Sequence, residues 1–455
     1  MDIGFETIGN AVLIVHDGGP LLVTDPWTEG DAYFGSWTFS HEIPEEQRRA
    51  IEAAKYVWVS HGHPDHLSGR SLGKLKGKKL LLPDHVGGRI LASMKEQGWD
   101  VRVLADRKWE KLSDRVRVLS ISDYNQDGIL LVEINGRLVC NLNDASDKGW
   151  GAFVRGIARG YEKSFLLRLS GYGDADMINL FDEQGNRIVP RAARKLDPGV
   201  EISGLMRAFG TKSFVPFSSM HRYQRSDSLW ADQYTTPLDD HAKGFDKSCG
   251  ELLPAFIRYD CSTDKWTRID PAEQKRTPKD PKEFGDDWSE PLSRDEFQQA
   301  AGYFSGIEHL GERFDYITLK VGGKENVIEL AGKKFNRGIT FEAPRGSLML
   351  AVREQIFDDM LIANFMKTTL HGDFPQTGLY PDFTPYVGKY ADNGLARSRE
   401  ELSAYFAEYR RRAPLDFLRH EIETKAISTM RSYFHMESSL YKLAKGAYHL
   451  VKEFR

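Results

Sequence analysis

The stretch Ser60-His61-Gly62-His63-Pro64-Asp65-His66-Leu67 constrains this chain more than any other, because it sets three imidazoles and a carboxylate within six residues. A cluster of that kind calls for metal. The apolar run Tyr56-Val57-Trp58-Val59 before it reads as a buried strand, and Ser68 to Lys76 after it reads as a helix. The cluster therefore sits at the carboxyl end of a strand, where open α/β layers place ligand sites because a rigid scaffold holds the loop. A helical zincin site is excluded, since no two histidines are spaced by four on a helix face.

A chain of 455 residues exceeds what one compact core supports, so two domains, or one domain with large additions, are expected. Its net charge of −4 and pI near 6.4 leave no basic footprint, which argues against a nucleic-acid partner. No apolar run is long enough to span a membrane, and Met1-Asp2-Ile3-Gly4-Phe5 lacks the pattern of a secretory leader. The three cysteines, Cys140, Cys249 and Cys261, are too few for a disulfide framework, so a reducing cytoplasm is the expected location.

In chain order, Ile3 to Ile8 and Ala11 to His16 read as strands joined by the turn Gly9-Asn10, and Leu21 to Thr24 is a third, ending in Asp25-Pro26-Trp27. After the histidine cluster, short strands and helices alternate, which implies layered α/β packing. Asp123 and Asp127 lie in a polar loop between two strands, Asp144 follows the apolar strand Leu138 to Leu142, and His221 follows Phe214 to Phe217. The Gly-rich loop Ser170 to Asp174 is set as a substrate mouth. Between 246 and 292 the sequence turns polar and rich in proline, as a connection or flap. Residues 293–375 read as a smaller α+β subdomain capping the cleft, with a capping box at Ser293 and Glu296, a strand over Ser347 to Val352 and a helix over Gln355 to Leu370. Residues 376–455 form a helical extension. Its last segment, Ser438 to Phe454, is basic and amphipathic; packing on the body or on a second subunit is expected ahead of contact with a membrane surface.

The ordered pattern His-x-His-x-Asp-His resembles the signature of the metallo-β-lactamase superfamily. That likeness implies an αββα sandwich over residues 1–245 holding two metal ions, with the smaller α+β subdomain and the helical tail following it. The short spacers let His61 and His63 take one ion while Asp65 and His66 turn to a second. The Asp25-Pro26-Trp27 strand end resembles the position from which the superfamily orients a metal-binding histidine through a carboxylate. More narrowly, the run from Asp127 to Asn143-Asp144 is similar to a stretch in the CMP-N-acetylneuraminate hydroxylase family, as are Asp25-Pro26-Trp27, Val215-Pro216-Phe217 and Phe357-Asp358-Asp359-Met360-Leu361. That family joins such a domain to a Rieske iron–sulfur domain, and the three cysteines here offer no Rieske pairing. Electrons for an oxygenase would therefore come from a separate protein.

Asp123 falls where the family has a histidine. As a ligand it would complete a first site of His61, His63 and Asp123 beside a second of Asp65, His66 and His221, with Asp144 bridging. Asp127 competes for the role, and His85 and His241 stand in reserve. Two imidazoles and a carboxylate per ion match non-haem iron and dioxygen, with zinc as the alternative. Two functions follow. One is a diiron monooxygenase acting on a small molecule such as a sugar nucleotide. The other is a dizinc hydrolase of an ester, amide or phosphodiester, with Asp65 and Asp144 as the catalytic carboxylates in either case. Assembly into a homo-oligomer stays open.

Overall fold

A computed structural model describes residues 1–172, 179–332, 334–374 and 378–433. The loop residues Gly173 and Asp174 and the basic segment from Ser438 to Phe454 lie outside the described residues.

Alternating and continuous apolar runs near the amino terminus build two sheets packed face to face. The first has eight strands, in the order Lys265–Arg268, Ile257–Asp260, Ile3–Ile8, Val12–Asp17, Pro20–Thr24, Tyr56–Trp58, Lys79–Pro83 and Asp100–Leu104. The second has seven, running from Glu251–Leu252 through Ser213–Pro216, Ser164–Arg168, Arg137–Asn143, Gly128–Ile134 and Val116–Ser122 to Trp109–Lys111. Phe5, Leu13, Trp58, Leu81, Leu130, Val139, Phe165 and Val215 interlock between them. Each such fully buried apolar side chain contributes about 1.5–3 kcal/mol.

Both outer faces are covered by helices, and this makes the sandwich αββα. Ile51, Leu72 and Met94, from Glu45–Ala53, Gly69–Lys74 and Arg89–Glu96, pack on Val57 and Leu80 of the first sheet. Val154 of Gly151–Ala158, with Ile202 and Met206 of Pro198–Phe209, covers Leu131, Cys140 and Leu166 of the second. Tyr56–Trp58 runs parallel to both of its neighbours, so its carboxyl end opens onto one rim of the sandwich together with theirs.

A third sheet of five strands orders Leu180–Phe181, Lys367–Gly372, Arg337–Glu342, Tyr316–Val321 and Lys324–Glu329. Its core of Phe304, Phe314, Phe341, Phe357 and Phe383 is continuous with Trp27, Tyr33 and Trp37 of the sandwich. We call this unit the cap. Among the described residues, no helix is long and apolar enough to cross a membrane.

Three stretches differ from the sequence expectation. Residues 246–292, expected as a connection or flap, contribute strands to both sheets, because Ile257 and Tyr259 alternate inward with Arg258 and Asp260 in register with Thr7 to Gly4. Ser347 to Val352, expected as a strand, lies in the helix Arg345–Glu354, since a short apolar run bounded by Pro344 does not distinguish a buried helix from a buried strand. Gln355 to Leu370, expected as one helix, splits into the helix Phe357–Ala363 and the strand Lys367–Gly372. Asn364 ends the helix in the left-handed region at φ 59°, and the following threonines pair with Arg337–Glu342.

Candidate metal centre

The histidine loop leaves the end of Tyr56–Trp58 and is pinned from three strand ends. Asp25 follows Pro20–Thr24 and accepts from the Ser60 amide at 2.7 Å and the Ser60 hydroxyl at 3.0 Å. Asn143, at the end of its strand in the second sheet, donates to Asp25 Oδ2 at 2.8 Å and so ties the two sheets together under the loop. Asp25 and Asn143 both adopt positive φ, 43° and 52°, a strained turn that aims each side chain at the loop. Gly128 is required here, since a Cβ would meet the Ser60 carbonyl at 2.6 Å.

Above this base the imidazoles of the loop and the carboxylates around them converge. His66 Nε2 lies 3.2 Å from Asp65 Oδ2 and 3.2 Å from Asp144 Oδ2, while its Nδ1 faces Asp25 at 3.5 Å. His61 Nε2 lies 2.9 Å from His63 Nδ1, and His63 Nε2 lies 3.3 Å from Asp358 Oδ2. Asp65 accepts from the Tyr33 hydroxyl at 2.6 Å and from Asn10 Nδ2 at 3.0 Å. His221 opens the short strand His221–Tyr223, paired with Trp37–Phe39, and its ring stacks on Trp37 at 3.4 Å. Among the described residues two trios bring ligand atoms within 4.8 Å of one another, His61 with His66 and Asp144, and His63 with Asp358 and Asp359.

The electrostatics follow from burial and mutual proximity. Burial holds the His61 imidazole well below its usual range, helped by the neighbouring His66 and His63. Burial likewise lowers His221, to about 3. For His66 burial works in the same direction but is outweighed by Asp65 and Asp144, which hold its imidazolium well above the usual range. Asp65 is lowered in turn, because His66 and the Tyr33 hydrogen bond overcome its burial. Burial, then the Asp358 and Asp65 charges, raises Asp359 well above a normal carboxylate. A site with this much charge at close range favours a cation at its centre.

Whether the residues fit metal ions is tested by their unpaired atoms. His66 Nε2 and both ring nitrogens of His221 are buried without a partner of good hydrogen-bond geometry. Such orphans are costly unless another ligand satisfies them. The donors are nitrogen and oxygen throughout: Cys140 and Cys261 are buried in the packed cores, and Cys249 lies beside Met206. The residues fit a pair of ions.

Asp123 and Asp127 differ in where they face. Asp123 Oδ1 accepts from the amides of Asn125 and Asp127 at 2.8 and 3.1 Å while its Oδ2 is buried without a partner, and burial together with Asp127 pushes its carboxyl up to about 8. Asp127 lines the cleft with His61, His63, Asp65 and Asp144, and Lys389 Nζ stands 3.6 Å from it. His85 Nε2 donates to the Ser60 carbonyl at 2.9 Å, and His241 Nε2 lies 3.2 Å from the Ser170 carbonyl, so both reserves are engaged with backbone.

The cleft has a volume of about 560 Å³, and Lys148, Tyr380, Thr384 and Lys389 form its far wall. A larger cavity of about 790 Å³ beside Pro198–Phe209 holds none of the clustered histidines. We place the site in the smaller one because the titratable groups converge there. Sequence reasoning did not single out Asp358, Asp359, Tyr33, Asn10, Asn143, Lys148 or Lys389 as site residues. The available signal was the adjacent acid pair Asp358-Asp359 inside the apolar run Phe357 to Leu361, where a buried charge needs a partner.

Residues 4–76 match the family model of the Metallo-beta-lactamase superfamily. The cytidine monophosphate-N-acetylneuraminic acid hydroxylase of Danio rerio is 26% identical over 165 residues, 34% of this chain and only 28% of that protein's length. Two solved structures align as well. The metallo hydrolase Igni18 from Ignicoccus hospitalis has a TM-score of 0.35 and 11% identity, over 57% of this chain and 98% of its own. CmlA, a diiron beta-hydroxylase from Streptomyces venezuelae, has a TM-score of 0.35 and 13% identity, over 59% of this chain and 54% of its own. The family match begins in the first strand and ends just beyond the histidine loop, so the part of the sandwich that carries the histidine cluster is similar to the metallo-β-lactamase superfamily.

Proposed function

We propose that this chain is a dinuclear metal enzyme, a diiron dioxygen-dependent monooxygenase that hydroxylates a small molecule of the sugar-nucleotide or amino-sugar class. The observation that carries this reading is the donor set, four histidines among buried carboxylates with no thiolate near them. Imidazole with carboxylate is the set associated with non-haem iron and dioxygen, whereas closed structural zinc sites favour thiolates. In this reading His61, His63 and Asp127 hold one ion, Asp65, His66 and His221 the other, and Asp144 lies between them. Asp127, the competitor to Asp123 in the sequence reading, takes the role in this proposal because it lines the cleft.

The ions, when bound, supply the redox chemistry that places one atom of dioxygen in the substrate and releases the other as water, using two electrons from a separate electron-transfer protein and two protons. The protein's own residues do the rest. Asp25 accepts the His66 Nδ1 proton and so presents Nε2 to the centre. Tyr33 and Asn10 fix the Asp65 carboxylate. Lys148 and Lys389, on the opposite wall, suit a substrate bearing a carboxylate or phosphate.

A second reading, a dizinc hydrolase of an ester, amide or phosphodiester, draws on a different observation. The clamp on Asp65 is a geometry suited to orienting a nucleophilic water. Metal analysis with Mössbauer and electron paramagnetic spectra separates the two. About two iron atoms per chain after expression in iron-rich medium is the expected result. Stoichiometric zinc with no iron uptake on reconstitution would overturn the oxygenase. In the same assay, Asp127→Ala is expected to lose metal and Asp123→Ala to keep it.

A further inference from the structure

We infer that Asp358, from the cap, is a positioning residue for the metal centre: it takes the Nε2 proton of His63 and so turns Nδ1 of that ring toward the ion. The inference rests on the metal-centre reading above but not on its redox chemistry.

The geometry of the two neighbouring rings carries it. His63 Nδ1 stands 2.9 Å from His61 Nε2, so these two nitrogens converge on one point. The other nitrogen of His63 points away from that point and meets Asp358 Oδ2 at 3.3 Å. A ligating imidazole carries its proton on the nitrogen that does not bind, and a carboxylate that accepts it fixes tautomer and ring angle and makes the ligand more basic. Asp25 stands in the corresponding position behind His66. The two histidines are thus oriented by carboxylates of different origin, one from the sandwich and one 295 residues away in the cap.

Asp358 is itself held rigidly. All seven residues of its helix, Phe357–Ala363, are buried. From above, the π-helix Pro385–Asn393 presses on it at Gly388, where a Cβ would fall 2.4 Å from Asp358 Oδ2. Only glycine leaves room there. A π-helical turn is itself an irregularity that clusters at functional sites. The rival arrangement is that His63 Nε2, Asp358 and Asp359 together ligate an ion, since their ligand atoms also lie within 4.8 Å. That arrangement would draw His63 away from His61.

The test measures zinc affinity of the full chain by chelator competition and the electronic spectrum of the cobalt-substituted protein, neither of which needs dioxygen or an electron donor. Asp358→Asn is expected to weaken affinity by about 10–100-fold at unchanged stoichiometry and to shift the cobalt bands. Asp358→Glu is expected to recover part of the loss, and Gly388→Ala, which displaces the carboxylate without removing it, to reproduce it. Asp359→Asn is expected to leave both readouts unchanged. Wild-type affinity and spectrum in Asp358→Asn and Gly388→Ala would overturn the proposal. So would the loss of one ion per chain in both Asp358→Asn and Asp359→Asn, which is the signature of the rival trio. His61→Ala is the control: retention of full metal by that variant would sink the metal-centre reading itself, whereas its loss alongside an unaffected Asp358→Asn would sink this inference alone.

Discussion

The two walls of the cleft are made in opposite ways. On the sandwich side, His61, His63, Asp65 and His66 lie within six consecutive residues on one loop, and the strand ends beneath it supply Asp25, Asn143 and Asp144. On the cap side, Asp358, Tyr380, Thr384 and Lys389 come from a buried helix, an irregular segment and a π-helix. The ligand wall is dense in chemistry and locally encoded. The cap wall is sparse, and only the packing of a separate core brings it into place. On the proposed reading, metal binding belongs chiefly to the first wall, while the second adjusts it and selects what enters.

The sharpest way to break that division is to remove a ligand from the first wall. His66→Ala leaves Asp65, Asp144 and Asp25 crowded without their central imidazole. It is expected to lower metal affinity by more than the ~100-fold upper end typical of orienting partners, read by metal content after dialysis. An affinity close to wild type would mean that the cap, not the loop, dominates binding.

A smaller effect tests whether the cap carries its own electrostatic load. Asp392, in the π-helix, is buried and accepts from the Tyr303 hydroxyl at 2.7 Å; burial and then the Asp358 charge push its carboxyl up to about 7 from an ordinary 3.8. Between those values the folded chain keeps a proton that the unfolded chain has lost, so folding takes up a proton and stability falls as pH rises through that window. The metal-free protein should therefore lose on the order of 2–3 kcal/mol from this group between pH 5 and pH 8. Asp392→Asn should flatten that slope in urea unfolding and be the more stable form at pH 8. An unchanged slope would show that Asp392 ionises normally.

The smallest effect concerns selection. Lys148 Nζ donates to the Tyr380 hydroxyl at 3.0 Å, and its charge is sustained by Tyr380, Asp123 and Asp127 against burial. Lys148→Met should raise KM for an anionic substrate about tenfold, roughly the 1.4 kcal/mol of one charge-assisted hydrogen bond, with metal content unchanged. An equal rise for a neutral analogue would show that the lysine shapes the wall rather than reading charge.

How much of this was legible depends on the range of the interactions involved. Layered α/β packing follows from short strands alternating with helices, the sandwich is implied by the family resemblance, and the Gly9-Asn10 hairpin joins the strands expected on either side of it. The histidine loop announces itself because its donors are adjacent in sequence. Where local pattern is ambiguous the reading fails. The apolar run over Leu348 to Val352 suits helix and strand alike, and the tertiary environment made it helix. The segment after Phe357 was divided because its threonines found an edge to pair with. Asp123 and Asp127 are four residues apart in one polar loop, and nothing local says which of them turns inward.

By itself, then, the sequence determined which imidazoles and carboxylate crowd onto one loop, since residue types and short spacings dictate which donors can meet without help from distant chain. Only the tertiary structure decided what surrounds those donors. Asp358 meets His63, and Lys389 meets Asp127, because two separately packed cores press together. A contact across 295 residues is fixed by the burial of hundreds of apolar atoms, and no local pattern carries it.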